Sequence, residues 1–256
     1  METVTQVIAW RRELHKRAEV GFELPRTVAY LREVLTDLGL ELSDDIGGGF
    51  VATLTNGQGP TIGIRADMDG LPISEATGKP WTSEQPQSMH ACGHDGHMAM
   101  ALGAAASLAD SRDFSGKIHF VFQPAEEPGH GAQSMMAAGL FDLYPMDAMF
   151  GLHNLHGLPA GSLHTRPGAI MASEDLFEIH IHGRGGHASR PEAVVDPLVV
   201  GAEIITALQS IVSRSVAPTD VAVVSCTEFI TDGARNAIPS NVFIKGDTRS
   251  FDPEVQ

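Results

Sequence analysis

HACGHDGHMAMALGAAASLA, residues 90–109, sets three imidazoles, a thiol and a carboxylate close together and follows them at once with small apolar residues. The first part is expensive to bury, since a polar group left without a partner in an interior costs roughly 1–3 kcal/mol. A metal ion is the simplest partner for several such groups together. The second part, from Asp95 to Ala109, reads as a helix whose Ala and Gly face suits close packing. Strand-like segments flank it, PTIGIRAD (60–67) before and KIHFVFQP (117–124) after. Strands that alternate with helices predict an α/β sheet whose ligands gather beyond the strand ends.

Working outward, a first helix carries Val4, Val7, Ile8 and Leu14 on one face. Val28, Leu31, Leu35 and Leu38 repeat at helical spacing in a second, which Gly39 caps. GFVATLTN (49–56) is a further strand, and alternation in KIHFVFQP puts Ile118, Phe120 and Phe122 on one side. The Gly-bearing loop EEPGHG, a helix near Ala132 to Ala138 and the strand-like DAMFGLH (147–153) follow. Near residue 170 the pattern restarts: strand DLFEIHIHG (175–183), helix DPLVVGAEIITALQSIVS (196–213), and strands VAVVSCTEFI (221–230) and NVFIKGDTRSF (241–251). Two domains are therefore expected, 1–171 and 172–256. Asp252, Pro253 and Glu254 make a helix start with no helix after it, so a chain truncated at its C-terminus is expected.

At 256 residues and 43% apolar composition the chain can bury a real core. Seventeen Lys plus Arg against 32 Asp plus Glu give a formal charge of -15, which disfavours nucleic acid and anionic lipid as partners. The N-terminus mixes both signs of charge, unlike a secretion signal. Met98 to Ala109, interrupted by Gly103 and Ser107, is shorter than the about 18 residues of a membrane span. A cytoplasmic protein with no membrane partner is expected. Cys92 and Cys226 are read as reduced thiols, a disulfide between them being the alternative.

Three separated segments offer ligand-type residues at a strand end or helix start: Cys92 with His94, Glu126 with Glu127, and His153. Thiolate, imidazole and carboxylate together suit zinc and related first-row ions better than calcium or magnesium. Adjacent glutamates point different ways, so one can bind metal while the other exchanges a proton. Pro128 biases Glu127 toward extended backbone. His97, His156, Asp67 and Asp69 are candidates for orienting ligands only, outside the predicted site. His180 and His182 share one face of a strand and are read as surface residues of that strand.

RRELHKRAEVGFEL, RADMDGLPI, MHACGHDGHMAM, FQPAEE, GLHNLHGLPAG and GRGGHASRP, in this order, resemble the metal-dependent amidohydrolases that include aminoacylases, hippurate hydrolases and related carboxypeptidases. The resemblance implies a catalytic α/β domain with a mixed central sheet flanked by helices, plus a smaller ferredoxin-like α/β lid domain beginning near Ala172. It implies two divalent metal ions (zinc, manganese, cobalt or nickel) held by Cys92, His94, Glu127 and His153, with Cys92 in the bridging position. Glu126 matches the general base, and His187 a lid histidine that steadies the oxyanion, often across a homodimer formed through the lid. Asn236 and Arg249 match substrate-contacting positions; the planar guanidinium of Arg249 also suits a carboxylate on chemical grounds. The implied substrate is a small-molecule N-acyl amino acid, cleaved to a carboxylic acid and a free amino acid. Because chains of the family continue past the lid and bring a further metal-binding histidine, the rival expectation is a noncatalytic metal-binding or dimerising remnant.

Overall fold

Alternating Ile118, Phe120 and Phe122 build the larger core of the computed structural model, which describes residues 2–256. Helices α1 (Glu2–Lys16) and α2 (Pro25–Asp37) precede strands β1 (Glu41–Leu42), β2 (Phe50–Asn56) and β3 (Thr61–Asp67). Helix α3 (His94–Ser111) leads into β4 (Gly116–Gln123), followed by α4 (Gly131–Ala137), α5 (Leu140–Leu143) and β5 (Ala148–Gly151). The five strands form one mixed sheet in the order β1-β2-β4-β3-β5. β1 and β2 run antiparallel to their neighbours, whereas β3 is parallel to both β4 and β5. The register pairs Asp67 with Gln123 and Arg65 with Gly151, so three parallel strands finish at the same edge. In an open α/β sheet that edge is where ligands bind.

One sheet face packs against α1, α2 and α3 through Leu14, Leu31, Leu35, Met98, Leu102, Phe120 and Phe122, with Phe50 and Phe122 stacked at 4.9 Å. α3 approaches α1 closely because Gly103 has no side chain: a Cβ there would lie 2.6 Å from Val7 Cγ2. On the first helix Val4 and Ile8 are exposed, whereas Val7, Trp10 and Leu14 face the core. That i, i+3, i+7 stripe lies on the helix that α3 packs against. The opposite sheet face packs α4 and α5 through Val51, Val121, Met135 and Leu140. Gly39 takes φ +80° after α2, as a C-terminal cap requires.

The chain divides into two compact units between Leu158 and Pro159, ahead of the 171/172 boundary read from composition. Residues after Pro159 hold to the later strands: Arg166 lies 5.7 Å over the Phe251 ring and Ser173 N–H donates to Ser250 O at 2.7 Å. The second unit contains β6 (Asp175–His182), β7 (Gly186–His187), α6 (Pro197–Ser210), β8 (Ala222–Thr231), β9 (Ala237–Ile238) and β10 (Asn241–Ser250). β6, β10 and β8 form an antiparallel sheet with β10 central, burying Val242 and Ile244. Asp196 caps α6 by accepting from Leu198 N–H at 2.8 Å. Through Ser215 this helix is long and apolar enough, by length and composition, to cross a membrane, a test that helices of folded domains also pass.

Phe120→Ala is expected to destabilise the first unit by about 3–5 kcal/mol in denaturant unfolding, against at most about 0.5 kcal/mol for Ile8→Ala. Equal effects of the two would contradict this core.

Candidate metal centre

Each strand that ends at the shared edge delivers part of the site. β3 runs into Asp67 and Asp69, β4 into Glu126 and Glu127, β5 into His153, and α3 begins at His94, just after Cys92. After β4 the chain must reverse sharply, and Ala125 does so at φ 45°, a left-handed conformation that costs a residue with a Cβ about 1–2 kcal/mol. Hydrogen bonds hold the turn: Ala125 N–H donates to Gly21 O at 3.0 Å, and Ala125 O accepts from Gly131 N–H at 2.9 Å. Gly93, at φ 88°, opens α3 where a Cβ would lie 2.2 Å from Asn154 Nδ2. Only glycine fits there.

Hydrogen bonds then aim the donors. His94 Nδ1 donates to Asp69 O at 2.7 Å, which turns its Nε2 inward. There it lies 3.6 Å from Glu126 Oε2 and 3.8 Å from Glu127 Oε1. His153 Nδ1 donates to Asn154 O at 2.7 Å, leaving its Nε2 3.5 Å from Cys92 Sγ. In both rings the bond made by one nitrogen sets which nitrogen faces the site. The buried Asp69 carboxylate accepts from Glu126 N–H at 3.0 Å and Glu127 N–H at 3.2 Å, so one residue fixes both glutamates and His94. Asp67 accepts from His97 Nδ1 at 2.6 Å and lies 2.7 Å from Arg65 Nη1. Asn154 N–H donates to His97 Nε2 at 3.1 Å.

The site is rich in negative charge. Burial, then the Glu127 and Glu126 carboxylates, push the Cys92 thiol up to about 12. Burial also raises Glu127. For His94 burial opposes the charged ring, but Asp69, Asp67 and Glu126 outweigh it and raise the imidazole to about 9. Asp67 falls to about 2, where its His97 bond and Arg65 overcome burial. A field that tightens the hold on a proton also attracts a metal cation, and a cation reverses the thiol's preference by stabilising its thiolate.

Two donor atoms show directly that these residues fit such an ion. His94 Nε2 and Glu127 Oε1 are buried and hydrogen-bonded to nothing among the described residues. Buried polar atoms are rarely left so. The ligand atoms of Cys92, His94 and His153 lie within 4.8 Å of one another, as do those of His94, Glu126 and Glu127. His94 belongs to both groups, and to a third with Asp67 and His97. Both cysteines are free thiols.

The other expected residues lie in the second unit. His187 pairs with Ala237 between β7 and β9, and Ala188 N–H donates to Asn236 O at 3.0 Å, so His187 and Asn236 are near neighbours. Ser189 N–H donates to His187 Nδ1 at 3.2 Å, which leaves the hydrogen of the neutral ring on exposed Nε2. Arg249 is near the far end of β10 from Asn241, about 26 Å away at ~3.3 Å per residue. Asp247, at 2.7 Å, and Glu174 hold its guanidinium. His180 and His182 are exposed on β6, and His156 is exposed after β5.

Sequence reasoning left Asp67 and Asp69 outside the site and missed Asn154. The alternation of acids in RADMDG is their one sequence signal, whereas nothing local marks Asn154, whose role arises from contact with Gly93 and His97.

A family model described as peptidase family M20/M25/M40 matches residues 63–252. The chain belongs to this family. It is 43% identical over 260 residues to an N-acyl-L-amino acid amidohydrolase of Geobacillus stearothermophilus, covering 100% of this chain and 70% of that one. It is 43% identical over 251 residues to a hippurate hydrolase of Campylobacter jejuni, covering 96% and 64%. Among solved structures it is similar to the Bacillus subtilis YXEP protein, a dinuclear metal-binding peptidase of the M20 family, with TM-score 0.73, 35% identity and coverage of 99% and 66%. The M20 chain thus spans about two thirds of the length of these relatives.

Asp69→Asn turns one of two acceptors into a donor that faces a backbone N–H. It is expected to weaken divalent-metal binding by about 10–100-fold in competition with a chelator. Unchanged affinity would show that Asp69 does not set the ligand geometry.

Proposed function

We propose that this chain hydrolyses the amide bond of N-acyl-L-amino acids, of the hippurate or N-acetyl type, to a carboxylic acid and a free amino acid. The observation that carries the reading is the pair of glutamates facing His94 Nε2, at 3.6 and 3.8 Å, in unequal surroundings. The Glu127 side chain is 21% exposed and the Glu126 side chain 40%. The more buried one suits a ligand, and the more open one suits proton exchange with water and substrate.

Cys92, His94, Glu127 and His153 would hold two divalent cations, with zinc, manganese, cobalt and nickel all compatible with these donors. When bound, such ions supply Lewis acidity, which acidifies water and polarises a carbonyl. Glu126 takes a proton from the attacking water as its oxygen bonds to the acyl carbon. It returns that proton to the nitrogen as the C–N bond breaks, so the amine leaves neutral. His187 is assigned as the donor to the developing oxyanion through Nε2–H, supported by the bond that Ser189 makes to Nδ1. Asn236 and Arg249 are assigned to the substrate, and for Arg249 the support is its carboxylate-matching fork. The second unit is assigned as the lid and as the surface of a homodimer, in keeping with its exposed Val199, Val200, Phe229 and Ile230. The similarity to a hippurate hydrolase and an N-acyl-L-amino acid amidohydrolase supports the substrate class.

Glu126→Gln keeps the shape of the side chain but cannot accept the proton. Hydrolysis of benzoyl-glycine and acetyl-amino acids is expected to fall about 10²–10⁴-fold while metal content stays unchanged. Undiminished hydrolysis with metal bound would refute the assignment of the base. Metal uptake by the unaltered chain with no hydrolysis of either substrate type would favour the noncatalytic reading.

A further inference from the structure

We infer that His15, which reaches from α1 to Asp95 in the first turn of α3, is a positioning residue of the metal centre. It belongs to RRELHKRAEVGFEL, a motif to which the proposed reaction gives no role, and the inference rests on the metal-centre reading above.

His15 is only 4% exposed, and both its nitrogens face carboxylates. Nδ1 lies 2.7 Å from Asp95 Oδ2 and Nε2 lies 3.3 Å from Glu75 Oε2. Arg11 Nε, one turn earlier in α1, is also 2.7 Å from Asp95 Oδ2. The other Asp95 oxygen accepts from Gly96 N–H at 2.8 Å within the first turn of α3. A strap made of the buried His15 hydrogen bond and the half-exposed Arg11 ion pair therefore joins α1 to the residue next to His94.

The first turn of α3 has unusual need of such a strap. Its N-cap is Gly93 in a left-handed conformation with no side-chain capping bond, so the usual Ser, Thr or Asp oxygen is missing. Asp95 is the acidic group of that turn, and Arg11 and His15 of α1 both reach its Oδ2. His90 adds no alternative tie: it is buried, its nitrogens have no hydrogen-bond partner among the described residues, and its ring stands 6.2 Å from that of His15. A buried ion pair adds little net stability relative to apolar packing, because desolvation offsets its attraction. It does restrict geometry. His94 is then fixed twice, through its ring by Asp69 O and through its backbone by the Asp95 strap.

The experiment uses the full chain with cobalt(II) as probe, reading affinity by chelator competition and ligand geometry by the visible absorption of the bound ion. His15→Ala is expected to weaken cobalt binding about 10–100-fold and to alter the absorption. His15→Asn, which keeps an N–H near the position of Nδ1, is expected to restore both. A strap that only stabilised the fold would lower the melting temperature of the metal-free protein and leave affinity and spectrum unchanged. That result overturns the inference, as does an Asn variant as impaired as the Ala variant. Should His15→Ala not fold, His15→Gln, which fills the space but carries its N–H away from the position of Nδ1, replaces it, and an unchanged spectrum and affinity there overturn the inference. If the unaltered protein binds no cobalt, the metal-centre reading fails and this inference with it; if it binds and the His15 variants match it, only the inference fails.

Discussion

Crowding of carboxylates around one buried imidazole is the constraint on which the rest of the first unit turns. Glu126, Glu127, Asp67 and Asp69 all come within 3.8 Å of a His94 nitrogen, and Arg65 offsets only Asp67. Left to itself this arrangement is costly, because like charges in a partly desolvated place raise each other's proton affinity. Burial first, then neighbouring carboxylates, raise Glu127 and lift the thiol to about 12, while against burial the carboxylates hold the imidazole at about 9. A divalent cation relieves it, and the orphaned His94 Nε2 and Glu127 Oε1 are the atoms that face where one would sit.

The fold gathers these groups by register rather than by sequence proximity. Because β3, β4 and β5 are parallel and in step, the residues after each strand emerge at one edge. The segment from 68 to 93 then carries the chain to the start of α3 at that edge. Such a long connection inside a domain is characteristic of a functional loop. Asp69 and the left-handed Ala125 convert this rough gathering into aimed donors, one by hydrogen bonds and the other by a strained turn.

Much of this was legible in the sequence. The α/β class, the strands and the long helix followed from periodicity, since Ile118, Phe120, Phe122, Leu31 and Leu35 lie where their spacing put them. In α1 periodicity marked the helical face, but only packing decides that Val7 and Leu14 of that face meet the core while Val4 and Ile8 stay exposed. The donor set was legible because thiol, imidazole and paired carboxylates are rare in combination, and the structure brings Cys92, His94, Glu126, Glu127 and His153 together. What could not be read was the support. Asp69 acts partly through its backbone oxygen, Asn154 through a contact with a glycine, and Asp95 through a helix 80 residues away in sequence. Each depends on packing that the chain reaches only once folded.

X-ray absorption at the metal edge of the zinc-loaded protein tests the central claim most directly. Convergence of the donors predicts a sulfur neighbour at about 2.3 Å beside nitrogen and oxygen neighbours at about 2.0–2.2 Å, with the sulfur lost in Cys92→Ser. A shell of nitrogen and oxygen alone in the unaltered protein would mean that Cys92 does not share an ion with His94, Glu127 and His153, and the account of this centre would fail.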